Sequence, residues 1–504
     1  MLILSLVLTS SLVLADTTYQ GNAYYIGDPH QHTGVSGDGE SSDLGGCGAV
    51  ECGSLAAVFE LARDNGLDWL ALSDHTNGGH EADPDAYTTL LEMALEHDDE
   101  ATGLVVVPAA ELVTATEERG LGHRNLYLFG SDEQLEDLNF YDTRPTEDGL
   151  GVTECGDIAS WLDGLEDDFG PALLIPHHSN VTTPMAVFFG CFDPVHEVAV
   201  EVYSSWGNHL GGELHWWDTP TVGWAEGGDV THAMAPDDMA LRFGFMGGSD
   251  AHVTLPGDLC IDIPEHHVGT GGLTIIVAPE EERFDRAAIH QALVEHRSYA
   301  TTGPMVPLAL AYHSAGELVA TLGQDIQLTA DEDLSLTVSI PDSWTSSVLD
   351  VLAIMPNDAL SLEPVDDESW STSLDPGTVP PWIFVAVQID MAGSCDDGGD
   401  DAYEWLFVSP TWIDVDVPED TAPGDTSPGP IHPRSCTCQD CSSSGSNVAG
   451  WVTLLAGLLG LAVLRRGPLS SLHPPRKQMK QEAPEAPAAA QAAKIGGRGG
   501  VRPG

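Results

Sequence analysis

The chain has 504 residues and carries 79 acidic against 17 basic residues, a formal net charge of −62. A surface this negative repels phosphate backbones and anionic lipid, which excludes nucleic-acid binding through a basic patch. The length allows more than one domain and a large buried core.

The N-terminus, residues 1–15, is an apolar run that ends at the small residue Ala15 and is typical of a secretory signal peptide. Export agrees with the cysteines, because Cys47 and Cys52 stand close enough in a Gly-rich segment to form a disulfide. A zinc site at the same two cysteines is the alternative, although no second pair stands at zinc-ribbon spacing. The candidates for further disulfides are Cys155, Cys191, Cys260 and Cys395.

Residues 16–303 alternate short apolar runs with amphipathic runs. Leu55, Val58, Phe59 and Ala62 have helical spacing and predict a helix that stops at Gly66. DAYTTLLEMALEH and EERFDRAAIHQALVEH are further helix candidates. The predicted strands are AYYIGDPH, LDWLALSDH, GLVVVPAAEL, HRNLYLFG, PALLIPHH, EVAVEVYSS, RFGFMGGSDAH and LTIIVA. Near-continuous apolar strands between helices predict a parallel sheet covered on both faces, in a barrel of the (β/α) kind.

Residues 304–417 lose the helical pattern. Apolar runs such as DLSLTVSI, VLDVLAIM and WIFVAVQID are separated by turns, which predicts a small antiparallel β-sandwich. The Pro-rich residues 418–440 then predict a disordered linker.

The C-terminal segment 441–466 has a Cys/Ser spacer, the apolar run 448–464 and then Arg465 and Arg466. It predicts attachment to a membrane or cell surface, with the basic end on the cytoplasmic side. Residues 467–504 are rich in Ala, Pro and Gly and predict a disordered tail.

Histidines and carboxylates recur at the ends of the predicted strands. His30 and His32 stand at i and i+2 of the first strand, so both side chains face one way. Any single histidine of this kind is explained as well by a satisfied core residue, but six strands share the pattern. The other members are Asp74, His75, Glu111, His123, His177, His178, Asp250 and His252. Because the strand ends of a barrel open on one mouth, the joint pattern predicts a metal centre there.

The order of these motifs, DPHQHT, SDHT, AAE, PHH and GSDAH, resembles the PHP (polymerase and histidinol phosphatase) superfamily. The resemblance covers about residues 23 to 415 and is closest to an exported branch of unknown function with a C-terminal β domain. It implies a distorted (β/α)7, TIM-like barrel that holds two or three divalent ions (zinc, manganese or iron). It also implies phosphoester hydrolysis by a metal-bound hydroxide. Segment 441–466 similarly resembles a Myxo-type (MYXO-CTERM) sorting segment, although the chain continues beyond its arginines.

The resemblance also implies which residues are ligands. His30, His32 and Asp250 would hold a first ion. His123 and His177 would hold a second ion, with Glu111 bridging the two, and His178 is the alternative to His177. Asp38, His75 and His252 would hold a third, where Asp38 stands in place of the histidine of many relatives.

Two arginines are candidates for binding a substrate phosphate, because basic residues are scarce in this chain. They are Arg124, which follows His123, and Arg297 in HRSYATTG. A structural ion pair with one of the many carboxylates is the alternative for each.

Four further polar residues are candidates for supporting roles. Asp28 and Asp74, each beside a ligand histidine, either orient an imidazole by accepting its second N–H or cap a strand end. Glu201 and His209 are expected near the mouth without coordinating an ion.

The sequence therefore predicts an exported, metal-dependent hydrolase that acts on a small anionic substrate, foremost a phosphate ester. Two alternatives stay open. The same cluster can cleave an amide or ester, as in amidohydrolase-like barrels, or the metals can be structural in a non-catalytic surface protein.

Overall fold

A computed structural model describes residues 18–33, 35, 55–76, 84–98, 103–113, 122–136, 138, 155–181, 187, 189–211, 228–252, 256–257, 271–356, 358–390 and 403–416. All of them belong to the first of two compact units, Met1–Ser427 and Pro428–Gly504. The predicted signal peptide, linker, sorting segment and tail lie outside these ranges, as does Asp38. Cys191 is disulfide-bonded. No helix within the described ranges is long and apolar enough to cross a membrane.

The described helices are mostly short. Their bounds are α1 Leu55–Asp64, α2 Pro84–His97, α3 Asp132–Leu135, α4 Cys155–Phe169, α5 Val230–Met234, α6 Arg286–Val294 and α7 Asp342–Thr345, with a 3-10 turn at Phe189–Cys191. In α1 the predicted apolar face is confirmed, since Val58, Phe59 and Ala62 are buried. The predicted stop is confirmed too, because Gly66 has φ +80°, a conformation that side chains with a Cβ disfavour.

Eleven of the described strands precede residue 304. They are β1 Thr18–Tyr19, β2 Asn22–Gln31, β3 Trp69–Leu72, β4 Val105–Val113, β5 His123–Leu128, β6 Ala172–Pro176, β7 Ala199–Ser204, β8 Gly207–Asn208, β9 Gly244–Gly247, β10 Leu273–Pro279 and β11 Ser298–Thr301. Each of the eight predicted strands of this region corresponds to one of them. The short β1, β8 and β11 were not predicted.

The main sheet is mixed, which corrects the predicted parallel sheet. Its order over this region is β11-β10-β2-β3-β4-β5-β6, with β2, β3 and β4 parallel. The pairs β10–β2, β4–β5 and β5–β6 are antiparallel. The physical reason at β4–β5 is the connection from 114 to 122, which is too short for a helical crossover of a dozen or more residues.

Strands β7, β8 and β9 form a separate sheet in which β7 and β9 are parallel. Single hydrogen bonds join this sheet to the main one on both sides. The N–H of Leu174 on β6 donates to the carbonyl of His196 at 3.0 Å, and the N–H of Gly247 donates to Oγ1 of Thr274 on β10 at 3.0 Å. Continuous strand pairing around a closed barrel is not found in the described residues, so the (β/α)7 barrel stays a prediction.

The strands after residue 304 continue the same sheet. They are β12 Ala309–Ser314, β13 Glu317–Thr321, β14 Ile326–Thr329, β15 Leu334–Ser339, β16 Val348–Met355, β17 Asp358–Ser361, β18 Glu363–Pro364, β19 Ser369–Leu374, β20 Trp382–Asp390, β21 Tyr403–Val408 and β22 Thr411–Asp416. Strand β21 pairs antiparallel with β11, so the predicted boundary at residue 304 is not a break in the sheet.

A second, antiparallel sheet in the order β13-β12-β15-β19-β18 covers one side of these strands. Leu336 and Val338 of this sheet share one buried cluster with Val385 and Val387 of β20. The same cluster continues to Leu70 of β3 and the helices α1 and α2. One hydrophobic core therefore supports both the N-terminal strands and the C-terminal ones.

Gly27 on β2 allows the close approach of Trp69 on β3. A Cβ at residue 27 would overlap the buried indole ring. We expect Gly27→Ala to lower the free energy of unfolding by about 1–3 kcal/mol, because overpacking forces neighbours off their rotamers. Urea denaturation measures the change. The control is Gly164→Ala in α4, where a Cβ meets nothing within 4 Å. Equal stability of Gly27→Ala and the unmodified chain would contradict the packing argument.

Candidate metal centre

Sheet topology brings the sequence-predicted residues to one edge. Strands β2, β4 and β6 run in the same direction, so His30, Glu111 and His177 lie at their carboxyl ends. Strand β5 runs the opposite way, and its first residue, His123, therefore lies at the same edge. His75 reaches this edge through a parallel bridge to Glu111.

Asp250 arrives from the other sheet, two residues after Gly248. Its N–H donates to the carbonyl of His30 at 2.6 Å, and a parallel bridge joins Gln31 to Ala251. The N–H of His32 also donates to the carbonyl of Ala251 at 3.1 Å. The segment after β9 is thus fixed to the end of β2 by backbone contacts.

The first group of donors is His30, His32, Glu111 and Asp250, all buried. Oε2 of Glu111 lies 3.5 Å from Nε2 of His30 and 3.1 Å from Nε2 of His32. Oδ1 of Asp250 lies 3.3 Å and 3.2 Å from the same two nitrogens. Donors at the corners of a tetrahedron with bonds of 2.0–2.1 Å are separated by about 3.3 Å. The four side chains therefore fit one transition-metal ion.

The second group is His123, His177 and His178. Nδ1 of His123 lies 2.6 Å and Nε2 of His177 lies 3.0 Å from Oε1 of Glu111. Nε2 of His178 lies 3.0 Å from Oδ2 of Asp250. The structure thus brings both His177 and His178 to the cluster, where the resemblance required one.

The third group is His32, His75 and His252. Nδ1 of His75 lies 3.4 Å from Oε2 of Glu111, and the rings of His32 and His252 stack with centroids 4.1 Å apart. The predicted fourth donor, Asp38, lies outside the described residues.

Glu111 and Asp250 connect the three groups, because each carboxylate faces one set of imidazoles with one oxygen and another set with the other. Burial by itself raises the pKa of Glu111, but His75, His177 and His123 lower it to well below its ordinary value. Burial likewise raises the pKa of Asp250, and His30, His178 and His32 lower it to well below its usual range. Both carboxylates are therefore ionised and can bind cations. The chain has buried groups of His, Glu and Asp residues that can hold metal ions.

Two members of the cluster have left-handed backbone conformations without being glycine. His178 has φ +54° and Asp250 has φ +48°. Such residues cost of order 1–3 kcal/mol and persist where the surrounding structure holds them. Both side chains meet at the 3.0 Å contact described above, so the strained backbone serves to place donors.

Glu201 on β7 orients His30. Nδ1 of His30 donates to Oε2 of Glu201 at 2.9 Å, which leaves Nε2 of the neutral imidazole as a donor toward Glu111 and Asp250. Gly248 permits this contact, because a Cβ there would overlap the carboxylate of Glu201 and the Cβ of His30. Glu201 was predicted near the mouth, but its partner was not apparent from sequence.

Asp28 and Asp74 hold backbone segments. Oδ1 of Asp28 accepts the N–H of Ser249 at 3.0 Å and that of His30 at 3.3 Å. The two oxygens of Asp74 accept the N–H and the hydroxyl of Thr33 at 2.9 and 2.8 Å. These contacts favour the strand-end cap over the orientation of an imidazole, and they correct the prediction of Asp74 as a catalytic residue.

The structure does not bring Arg124 and Arg297 to the cluster, which corrects both predictions. Side chains alternate along β5, so Arg124 faces away from His123, and its Nε donates to Oε1 of Glu197 at 2.6 Å in the interior. Arg297 bonds the carbonyl of Val277 and the carboxylate of Glu295. Val277 pairs with Tyr24, six residues before His30, which is a distance of about 20 Å along β2.

One side of the cluster reaches solvent. The side chain of His252 is 22% exposed and that of His123 is 11% exposed, whereas His30 and His177 are fully buried. A ligand therefore approaches past His252 and His123.

No family model matches the chain, and no curated protein is significantly similar to it. Among solved structures, an endo-β-1,4-mannanase double mutant from Cellulomonas fimi is 11% identical, with 77% of this chain and 94% of that chain covered at a TM-score of 0.16. A likeness this slight supports no structural inference.

We expect Glu201→Ala to weaken zinc binding by about 10–100-fold, because the ring of His30 loses the acceptor that orients it. Glu201→Gln should lose less, since the amide oxygen still accepts from Nδ1. Competition with a chromophoric chelator measures the affinities, with Glu280→Ala on the surface as control. If Glu201→Ala and the control bind zinc equally, Glu201 does not position His30.

Zinc affinity should increase with pH from 6 to 9. Burial lowers the pKa of His32, but Asp250 and Glu111 raise it to about 10 overall. In the metal-free protein His32 is therefore protonated below that pH, and a metal ion must displace the proton. Each displaced proton contributes about a tenfold gain in affinity per pH unit. Calorimetric titrations in buffers of different ionisation enthalpy count the released protons, and an affinity independent of pH would refute the competition.

Proposed function

We propose that this chain is an exported metal-dependent hydrolase of the PHP type that cleaves small phosphate esters. The observation that carries the proposal is the pair of shared carboxylates, Glu111 and Asp250, each between two sets of imidazoles. Donors that belong to more than one group are the arrangement expected for neighbouring ions, and isolated structural sites do not need them.

The donor set fits two or three divalent ions. Mixed imidazole and carboxylate ligands suit zinc, manganese or iron. Bound ions of this kind lower the pKa of water and neutralise phosphate oxygens during hydrolysis.

The chain's own residues supply orientation and burial. Glu201 fixes the ring of His30, and Asp28 and Asp74 fix the backbone on either side of His30 and His32. Water is excluded from the inner side, where His30 and His177 are fully buried. The substrate is received at the outer side, past His123 and His252.

The acidity of the chain limits how an anionic substrate is bound. Arg124 and Arg297 are occupied away from the cluster. The negative charge of a phosphate ester must therefore be balanced at the ligand cluster, and this supports the dependence of substrate binding on metal ions.

Export and surface attachment are part of the proposal. They rest on residues 1–15 and on segment 441–466, which lie outside the described part of the chain.

The test is hydrolysis of p-nitrophenyl phosphate mono- and diesters by the manganese- or zinc-loaded protein. We expect His32→Ala, which removes a donor from two groups, to lower kcat/KM by at least about 100-fold, because even partners of ligands contribute 10–100-fold. The control is His313→Ala on β12, in the second sheet.

Other outcomes decide between the alternatives. Turnover of an amide panel with none of the phosphate esters would replace the phosphoesterase by an amidohydrolase-like activity. Bound metal without turnover of either panel would favour a structural metal centre in a surface protein.

A further inference from the structure

A second cluster of titratable groups lies away from the metal centre, on the outer side of α4. His196, in the segment before β7, is 1% exposed. Its Nε2 lies 3.8 Å from Oδ1 of Asp163 and 3.7 Å from Oε2 of Glu166. These carboxylates are three residues apart on α4 and so share one face of the helix.

The protonation of His196 is set from the opposite side of the ring. Nδ1 donates to Oδ2 of Asp193 at 2.7 Å, so the neutral imidazole carries its lone pair on Nε2. That nitrogen is buried and makes no hydrogen bond. A lone pair and two carboxylates that face one another repel unless a cation lies between them.

We propose that His196, Asp163 and Glu166 form a peripheral zinc site. The carboxylate that holds Nδ1 of a ligating histidine is the usual outer partner in zinc sites, and Asp193 has that position. The charges of Asp163 and Glu166 balance a divalent ion. An imidazole ligand favours zinc over calcium or magnesium, which take oxygen ligands.

The spacing allows this assignment with little movement. Donors around zinc are separated by about 3.3 Å, a few tenths of an ångström less than the contacts of Nε2. The side chain of Asp163 is 73% exposed and free of packing restraints, so it can make the adjustment.

The site is independent of the proposed hydrolase centre, because the two share no residue. Its effect is local: the ion joins α4 to the segment 193–197. That segment also provides Glu197, the buried partner of Arg124.

A proton is the competitor for Nε2. Burial lowers the pKa of His196, but Asp193, Glu166 and Asp163 raise it above its ordinary value overall. An imidazolium paired with the same carboxylates, with no metal ion, is therefore the outcome that the experiment must separate from zinc binding.

The experiment titrates the full chain, with its main cluster already loaded, with zinc chloride at pH 7.5 in a calorimeter. Metal per chain is counted after desalting by mass spectrometry of the metal. The variants are Asp163→Asn and His196→Gln. The matched control is Asp167→Asn, which removes the same charge from an exposed position of α4. Ions at the main cluster cancel in the comparison.

We expect the unmodified chain and Asp167→Asn to bind one more zinc ion than the two variants, or to bind it at least tenfold more tightly. Because Asp163 is exposed, its variant folds even if His196→Gln does not. Equal stoichiometry with affinities within threefold in Asp163→Asn and the control would overturn the site and leave an ion pair only.

Discussion

Two buried carboxylates surrounded by imidazoles are the constraint on which the rest of the structure depends. Glu111 and Asp250 are each 1% exposed, and an ionised carboxylate is costly to bury without positive partners. Glu111 uses both of its oxygens, one toward His123 and His177 and the other toward His30 and His32. Protons or cations at these imidazoles must balance the charge, so the cluster binds positive charge by its construction.

The surrounding backbone is built around that requirement. Asp250 and His178 adopt left-handed conformations, and Gly248 leaves room for Glu201 beside His30. Each of these features weakens the local structure in isolation. They persist because the backbone contacts between the end of β2 and the segment after β9 hold both sides in register.

Much of this arrangement could be predicted from the sequence. The strand that carries His30 and His32 is apolar and ends where polar residues begin, and the i, i+2 spacing places both imidazoles on one face. The recurrence of His, Asp and Glu at later strand ends predicted Glu111, His177 and Asp250 as neighbours, although some 220 residues separate the first from the last.

The rest needed the fold. The direction of β5 depends on a short connection, and a pattern of apolar residues carries no direction. Arg124 was taken for a phosphate ligand because it is rare and follows His123, but alternation along a strand already places it on the opposite face. Glu201 and His196 owe their roles to partners far away in the sequence, which periodicity does not reveal.

The position of β10 determines when the centre can assemble. This strand lies beside β2 and pairs Ile275 with Ile26, while β11 waits for β21, which begins at Tyr403. Contacts between such distant segments form late, because the loop-closure entropy must be met first. The nascent chain therefore cannot present a finished ligand set until almost all of it has been synthesised. The ion that enters is selected by the compartment in which folding is completed.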